Sequence, residues 1–196
     1  MAPVETYALY FKHKVEWEAH ENYQKRSYRN RAYIKANTRP LNLTLPLCKG
    51  KNAQLAIKRV KLSYDDNWVH QVIETIRTNY GSAPYFEYYF PRICEVMQSE
   101  FEFLWNLNKA LHIMILEFLQ LESRVLETEK WEFTPVDKID LRKDVKEIIC
   151  NYEYFQIPDG TNTFIKGLSI LDLLFCSGPE ARLILHNIDI EFANLG

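Results

Sequence analysis

A chain of 196 residues, 47% hydrophobic and 14% aromatic, with 24 Lys and Arg against 26 Asp and Glu, has the size of one domain (1–196) and too many large apolar side chains to stay disordered. Collagen-like, coiled-coil and low-complexity classes are excluded. The longest apolar stretch, Ala110 to Leu121, contains His112 and Glu117 and falls short of the roughly 18 residues of a membrane span, and no basic region followed by an apolar stretch opens the chain. A soluble, cytoplasmic protein is expected.

In chain order, Val4, Tyr7, Ala8 and Phe11 form a helical stripe behind Pro3, predicting a short helix over 4–13. Alternation of apolar and polar residues predicts strands at Val15–His20, Arg31–Ala36, Leu41–Leu47 and Ile57–Ser63, with Asn37 to Pro40 as a turn and Pro46 at a strand end or edge. The period then lengthens. Trp68, Val69, Val72, Ile73, Ile76 and Tyr80 predict a helix ending before Gly81, with Ser63 and Asp66 at capping-box spacing. Pro84 opens the aromatic run Tyr85 to Phe90, Pro91 restarts the chain, and Ser99 with Glu102 forms a second capping-box pattern before a long helix to about Leu121. That helix is apolar nearly all round and is expected at the centre of the core. Arg124–Trp131 and Tyr152–Ile157 read as weaker strands around the charged stretch 137–146. Helices at Leu168–Phe175 and Pro179–Asn187 close the chain, separated by Gly178. The fold class is mixed α/β: a small N-terminal sheet of about four strands packed with a helix-rich C-terminal two-thirds.

The formal net charge of -2 conceals a segregation. Between Asn22 and Lys61 lie eleven basic residues and no Asp or Glu, against 13 basic and 26 acidic residues elsewhere. Such a dipolar chain suits a compact anion and opposes nucleic acid as a partner. The alternative is that these cations pair with carboxylates of the acidic part and tie the fold together. The densest polar segment is the inter-strand stretch containing His20, Asn22, Tyr23, Lys25, Arg26, Ser27, Tyr28, Arg29, Asn30 and Arg31. Arg forks and Lys point charges bind phosphate or carboxylate, and Tyr can stack on a sugar or base while hydrogen-bonding. In a strand-like stretch Arg29 and Arg31 share a face and can converge on one anion, with Lys25 or Arg26 approaching from the preceding turn.

Asp172, on an otherwise apolar helix, reads either as a carboxylate orienting an Arg of this loop or as the exposed edge of the helix beside Ser169. Tyr85 to Tyr89 reads as core rather than a sugar-stacking platform, and His112 as a satisfied core histidine rather than a ligand. Cys48, Cys94, Cys150 and Cys176 lack metal-ligand spacing and are expected to be buried, reduced thiols. Cys48 beside Lys49 carries only a weak case as a nucleophile, with no His adjacent in sequence. Phosphate-binding glycine loops, G-x-S-x-G and H-E-x-x-H are absent, so nothing supports triphosphatase, serine hydrolase or zinc protease chemistry.

The run His20 to Arg31, Leu43-Thr44-Leu45-Pro46 with Lys49-Gly50-Lys51, Trp68, Tyr80-Gly81 with Pro84-Tyr85-Phe86, and Leu168 to Phe175 with Gly178-Pro179-Glu180 resembles the WbqC-like protein family in motif and order, over about residues 2–182. The resemblance implies a bacterial cytoplasmic protein that binds an anionic activated sugar, such as a sugar nucleotide, or an acyl donor, and that supports amino-acid or acyl transfer in surface-polysaccharide (O-antigen) biosynthesis. It implies no catalytic residue and no cofactor. Three positions depart from the family pattern. The apolar strand expected before Ala2-Pro3 is missing, which implies an empty sheet position or a truncated start. Val72 stands where a His is frequent, and Gly167 where an Asn is usual. Val72 favours the alternative of a non-catalytic ligand-binding or assembly protein, because a general base at that position is lost.

Overall fold

The structure, a computed structural model, describes residues 1–37, 39–133, 138, 140–142, 148–158 and 163–192. Helix α1 (Val4–Lys12) buries Val4, Tyr7, Ala8 and Leu9 along its apolar stripe. Its start is knitted to the C-terminal part by Val4 N–H to Leu168 O and Ile170 N–H to Ala2 O, each 3.0 Å. Strand β1 (Glu16–Trp17) follows, then the antiparallel hairpin β2 (Arg31–Ile34) and β3 (Leu41–Thr44), registered Ala32 to Leu43. Period-2 alternation turns Ala32, Ile34 and Leu43 inward.

The fold is mixed α/β as expected, but the N-terminal sheet is smaller than the sequence suggested. Strand β1 pairs in parallel with β4 (Leu126–Glu127) rather than with β2. The expected strand at 57–63 is instead a 3-10 turn, Ile57–Arg59, followed by single bridges of Leu62 to Leu47 and Lys61 to Phe103. The turn carries both Ile57 and Val60 into the core, and three-residue spacing needs a helical turn, whereas a strand would send them to opposite faces.

Helices α2 (Trp68–Tyr80), α3 (Phe86–Met97) and α4 (Leu104–Phe118) form the body of the core. Neither capping box forms. Ser63 donates to the Asp65 carboxylate at 2.7 Å and Ser99 to the Glu95 carbonyl at 2.9 Å. Glu102 pairs with Lys61, 2.7 Å away. Pro91 lies inside α3 instead of restarting the chain. In the aromatic run Phe86, Tyr89 and Phe90 are core, while Tyr88 is exposed.

The strand expected at 152–157 lies earlier, as β5 (Ile148–Asn151), and pairs antiparallel with β6 (Asp189–Phe192), for which no strand was predicted although Ile190 and Phe192 alternate with Asp189 and Glu191. Most of the charged stretch 137–146 lies outside the described residues. Helix α5 (Ile170–Ser177) is buried all round, and α6 (Ala181–Asn187) follows a 3-10 turn, Gly178–Glu180. All four cysteines are free, yet only Cys176 is buried; the other three are half-buried. No helix among the described residues is long and apolar enough to cross a membrane.

Gly178 separates α5 from the turn with φ of +54°, and a Cβ there would lie 2.4 Å from a ring carbon of Tyr85. Gly178→Ala is expected to destabilise by at least the roughly 1–3 kcal/mol of a left-handed non-glycine residue. A lower urea midpoint at unchanged denaturant slope checks this.

Candidate functional site

The connection from β1 to β2 is held from both sides. Ile57 N–H donates to Glu21 O at 2.9 Å, Tyr23 N–H to Leu55 O at 3.0 Å and Leu45 N–H to Asn30 O at 2.9 Å. Inside it, the buried Tyr23 hydroxyl donates to Asn30 Oδ1 at 2.9 Å, and Asn30 Nδ2 donates to Leu45 O at 3.0 Å. Ser27 Oγ closes a turn onto Gln24 O at 2.7 Å, with Arg26 beside it at φ of +58°. These bonds convert a polar segment into a fixed wall.

That wall faces a cleft of about 600 Å³. Lys25, Arg26, Ser27, Tyr28, Arg29 and Arg31 line one side. The lining also includes Thr6, Tyr7 and Tyr10 from α1, Trp17 from β1, and Trp105, Asn108 and His112 from α4. Spacings of three and four residues place the α4 side chains on one helix face. Asn108 Nδ2 donates to Arg29 O at 2.7 Å, fastening helix to loop.

The cations of the loop divide by environment. Arg29 is consumed by Glu21: Nε donates to Oε1 at 2.5 Å, Nη2 donates to the other carboxylate oxygen, and Nη2 also reaches Arg142 O at 3.1 Å. Both side chains are largely buried, and burial holds the Glu21 carboxyl above its ordinary pKa despite the guanidinium. The expected convergence of Arg29 with Arg31 on one anion therefore fails, and at Arg29 the tie between loop and acid is what forms. Lys58 with Glu127 and Lys61 with Glu102, both 2.7 Å, are further ties between the basic segment and the acidic part. Arg31 differs: its Nε is buried with no hydrogen-bond partner among the described residues. Lys25 and Arg26 are exposed residues of the lining, which also includes Glu18 and Glu21, and form no ion pair among the described residues.

His20, Asn22, Tyr23 and Asn30 do not line the cleft. The His20 ring lies against Thr128 O, with Nε2 3.1 Å away, and Asn22 bridges to Ala56. Asp172 overturns both of its sequence readings. It is fully buried, meets no loop arginine, and accepts from the Tyr80 and Tyr154 hydroxyls, each at 2.7 Å. Burial raises its carboxyl above the ordinary range.

Sequence reasoning missed the aromatic side. The His112 ring centroid lies 4.8 Å from that of Tyr10, 4.9 Å from Trp17 and 5.4 Å from Tyr7, while Trp17 meets Trp105 edge-on at 5.4 Å. Trp17 Nε1 donates to the Tyr10 hydroxyl at 2.8 Å. His112 Nδ1 is 3.2 Å from the Tyr7 hydroxyl, and its Nε2 is buried without a partner. His112 is thus buried as expected but only half satisfied. Burial lowers its pKa to about 3, so the imidazole is neutral near neutral pH. Trp105, Asn108 and His112 at i, i+3 and i+7 were the legible signal: one face of the long helix carries nitrogen-bearing side chains amid Leu, Ile and Met.

A family model of the WbqC-like protein family matches residues 15–162. The chain belongs to this family, and the match covers the whole loop and α4. No curated protein and no solved structure matches the chain significantly.

Proposed function

We propose that the cleft binds an anionic activated sugar or acyl donor and thereby supports amino-acid or acyl transfer in bacterial surface-polysaccharide biosynthesis. Arg31 carries this reading. A guanidinium in a cleft wall, with a buried Nε that no group among the described residues accepts from, is poised for the oxygens of a phosphate or carboxylate. Lys25 and Arg26, exposed in the lining and without an ion pair among the described residues, add positive charge. Family membership brings the polysaccharide setting as a resemblance. The non-catalytic reading is favoured by Val72, which is buried in α2 and offers no base. Turnover of a bound donor separates the two readings.

Arg31→Gln is expected to weaken binding of phosphate or UDP about ten- to a hundredfold, since hydrogen bonds to charged groups contribute about 1.5–3 kcal/mol. Melting temperature should stay level or rise, because no carboxylate among the described residues pairs with Arg31. Calorimetric titration with parallel melting curves checks both, and unchanged affinity in the variant would remove the carrying observation. Wild-type affinity should also fall with added salt, because exposed charges are screened over about 8 Å at physiological ionic strength. A salt-independent affinity would point to stacking or apolar contact instead.

A further inference from the structure

We infer that the floor of the cleft, formed by Tyr10, Trp17, Trp105 and His112, takes the hydroxylated ring of a sugar phosphate, with His112 Nε2 reading a ring hydroxyl while Arg31 holds the phosphate. This rests on the anion-binding reading above and narrows its ligand from sugar or acyl donor to the sugar.

Two independent observations point to a sugar. First, the floor is aromatic and fixed: the hydrogen bond from Trp17 to Tyr10 and the edge-on meeting of Trp17 with Trp105 hold the rings in place. Aromatic side chains present broad apolar surface together with polar tips, which suits the C–H faces of a sugar ring bordered by hydroxyls. Second, Thr6 Oγ1, Arg31 Nε and His112 Nε2 are buried, lack a hydrogen-bond partner among the described residues, and all belong to residues lining this one cleft. An acyl chain would leave these atoms without partners. A ring bearing several hydroxyls supplies them. The Tyr7 hydroxyl can donate to or accept from His112 Nδ1, leaving Nε2 a donor or an acceptor accordingly. A sugar hydroxyl is both, so it satisfies either tautomer.

The test is titration calorimetry with hexose 1-phosphates and nucleoside-diphosphate hexoses, each against its counterpart lacking the hexose (inorganic phosphate, UDP, dTDP), with acetyl-CoA as the acyl arm. At least one sugar-bearing probe should bind the wild type tenfold or more tightly than its counterpart. His112→Asn keeps an atom near the Nδ1 position and loses Nε2; it should reduce that ratio to below about threefold while leaving UDP affinity within twofold. His112→Gln, which places its amide near the Nε2 position, should retain part of the ratio. Arg31→Gln should weaken hexose-bearing and hexose-free probes alike. If every sugar-bearing probe binds no tighter than its counterpart, or acetyl-CoA alone binds, the sugar assignment is overturned while anion binding stands. If no probe binds, both readings fall. A ratio unchanged in a folded His112→Asn overturns the role of His112, and if that variant does not fold, an unchanged ratio in His112→Ala, which removes both ring nitrogens, does the same.

Discussion

Replacing Arg29 by Gln is expected to destabilise the protein by about 3–5 kcal/mol, the range for removing one partner of a buried ion pair. The Glu21 side chain is 7% exposed and that of Arg29 19%, so the carboxylate left behind cannot be rehydrated without opening the loop. Substitution also removes the Arg29 bond to Arg142 O and loosens the wall facing Asn108. The deficit should depend on pH with a definite sign. Because burial raises the Glu21 carboxyl, the folded chain holds that proton more tightly than the unfolded chain. A raised carboxyl gives stability that is full below its unfolded value and is lost as pH rises through its folded value. Without Arg29 the folded value climbs further, so the gap between variant and wild type widens from acid toward neutral pH and narrows again in acid. Urea unfolding of both proteins across that range measures it. An unchanged or higher stability at neutral pH would return Arg29 to the ligand-binding set beside Arg31.

An effect of similar size is expected at Asp172, which is not among the residues lining the cleft. Its carboxylate accepts from Tyr80 on α2 and from Tyr154 in the segment after β5, while the Tyr80 hydroxyl accepts the Lys35 N–H at 2.9 Å. Gln156 Nε2 donates to Ile165 O at 2.8 Å and extends the network toward the start of α5. Asp172→Ala leaves two buried hydroxyls without an acceptor, at about 1–3 kcal/mol each, and takes a negative charge from the vicinity of Lys35. A total of about 3–5 kcal/mol is expected. Asp172→Asn keeps one acceptor oxygen and should cost less, and Tyr80→Phe should account for part of the loss non-additively, since the groups share one network. Because Asp172 does not line the cleft, the folded fraction of each variant should bind UDP as the wild type does. A change in UDP affinity with stability preserved would restore a functional role for this carboxylate.

Much of the fold was legible because local rules and global packing agree. The stripes Val4-Tyr7-Ala8 and Trp68-Val72-Ile73-Ile76-Tyr80 are helix faces whose burial the period alone foretold, and the nearly all-round apolar character of α4 foretold its place in the core. The alternation at Ala32, Ile34 and Leu43 likewise fixed a hairpin. Capping patterns misled at Ser63 and Ser99 because a hydroxyl has competing local acceptors, here Asp65 and the Glu95 carbonyl, and spacing does not decide among them.

For the candidate site, the sequence by itself determined the chemistry: a basic, aromatic, amide-rich connection between strands, set in an acidic chain. Only tertiary structure decided which cation is free. Glu21 lies eight residues from Arg29 and precedes the basic stretch, and its pairing depends on how the loop folds back between Leu45, Leu55 and Ile57. The aromatic floor depends on packing more completely still, since α1, β1 and α4 bring Tyr10, Trp17 and His112 together across about a hundred residues of chain. Periodicity reports that a side chain faces the core. Whether it meets a hydrocarbon neighbour, a hydrogen-bond partner or a cleft is set by non-local contacts, and for that reason Asp172 meets two tyrosine hydroxyls while Arg31 and His112, which line the cleft, keep atoms without partners among the described residues.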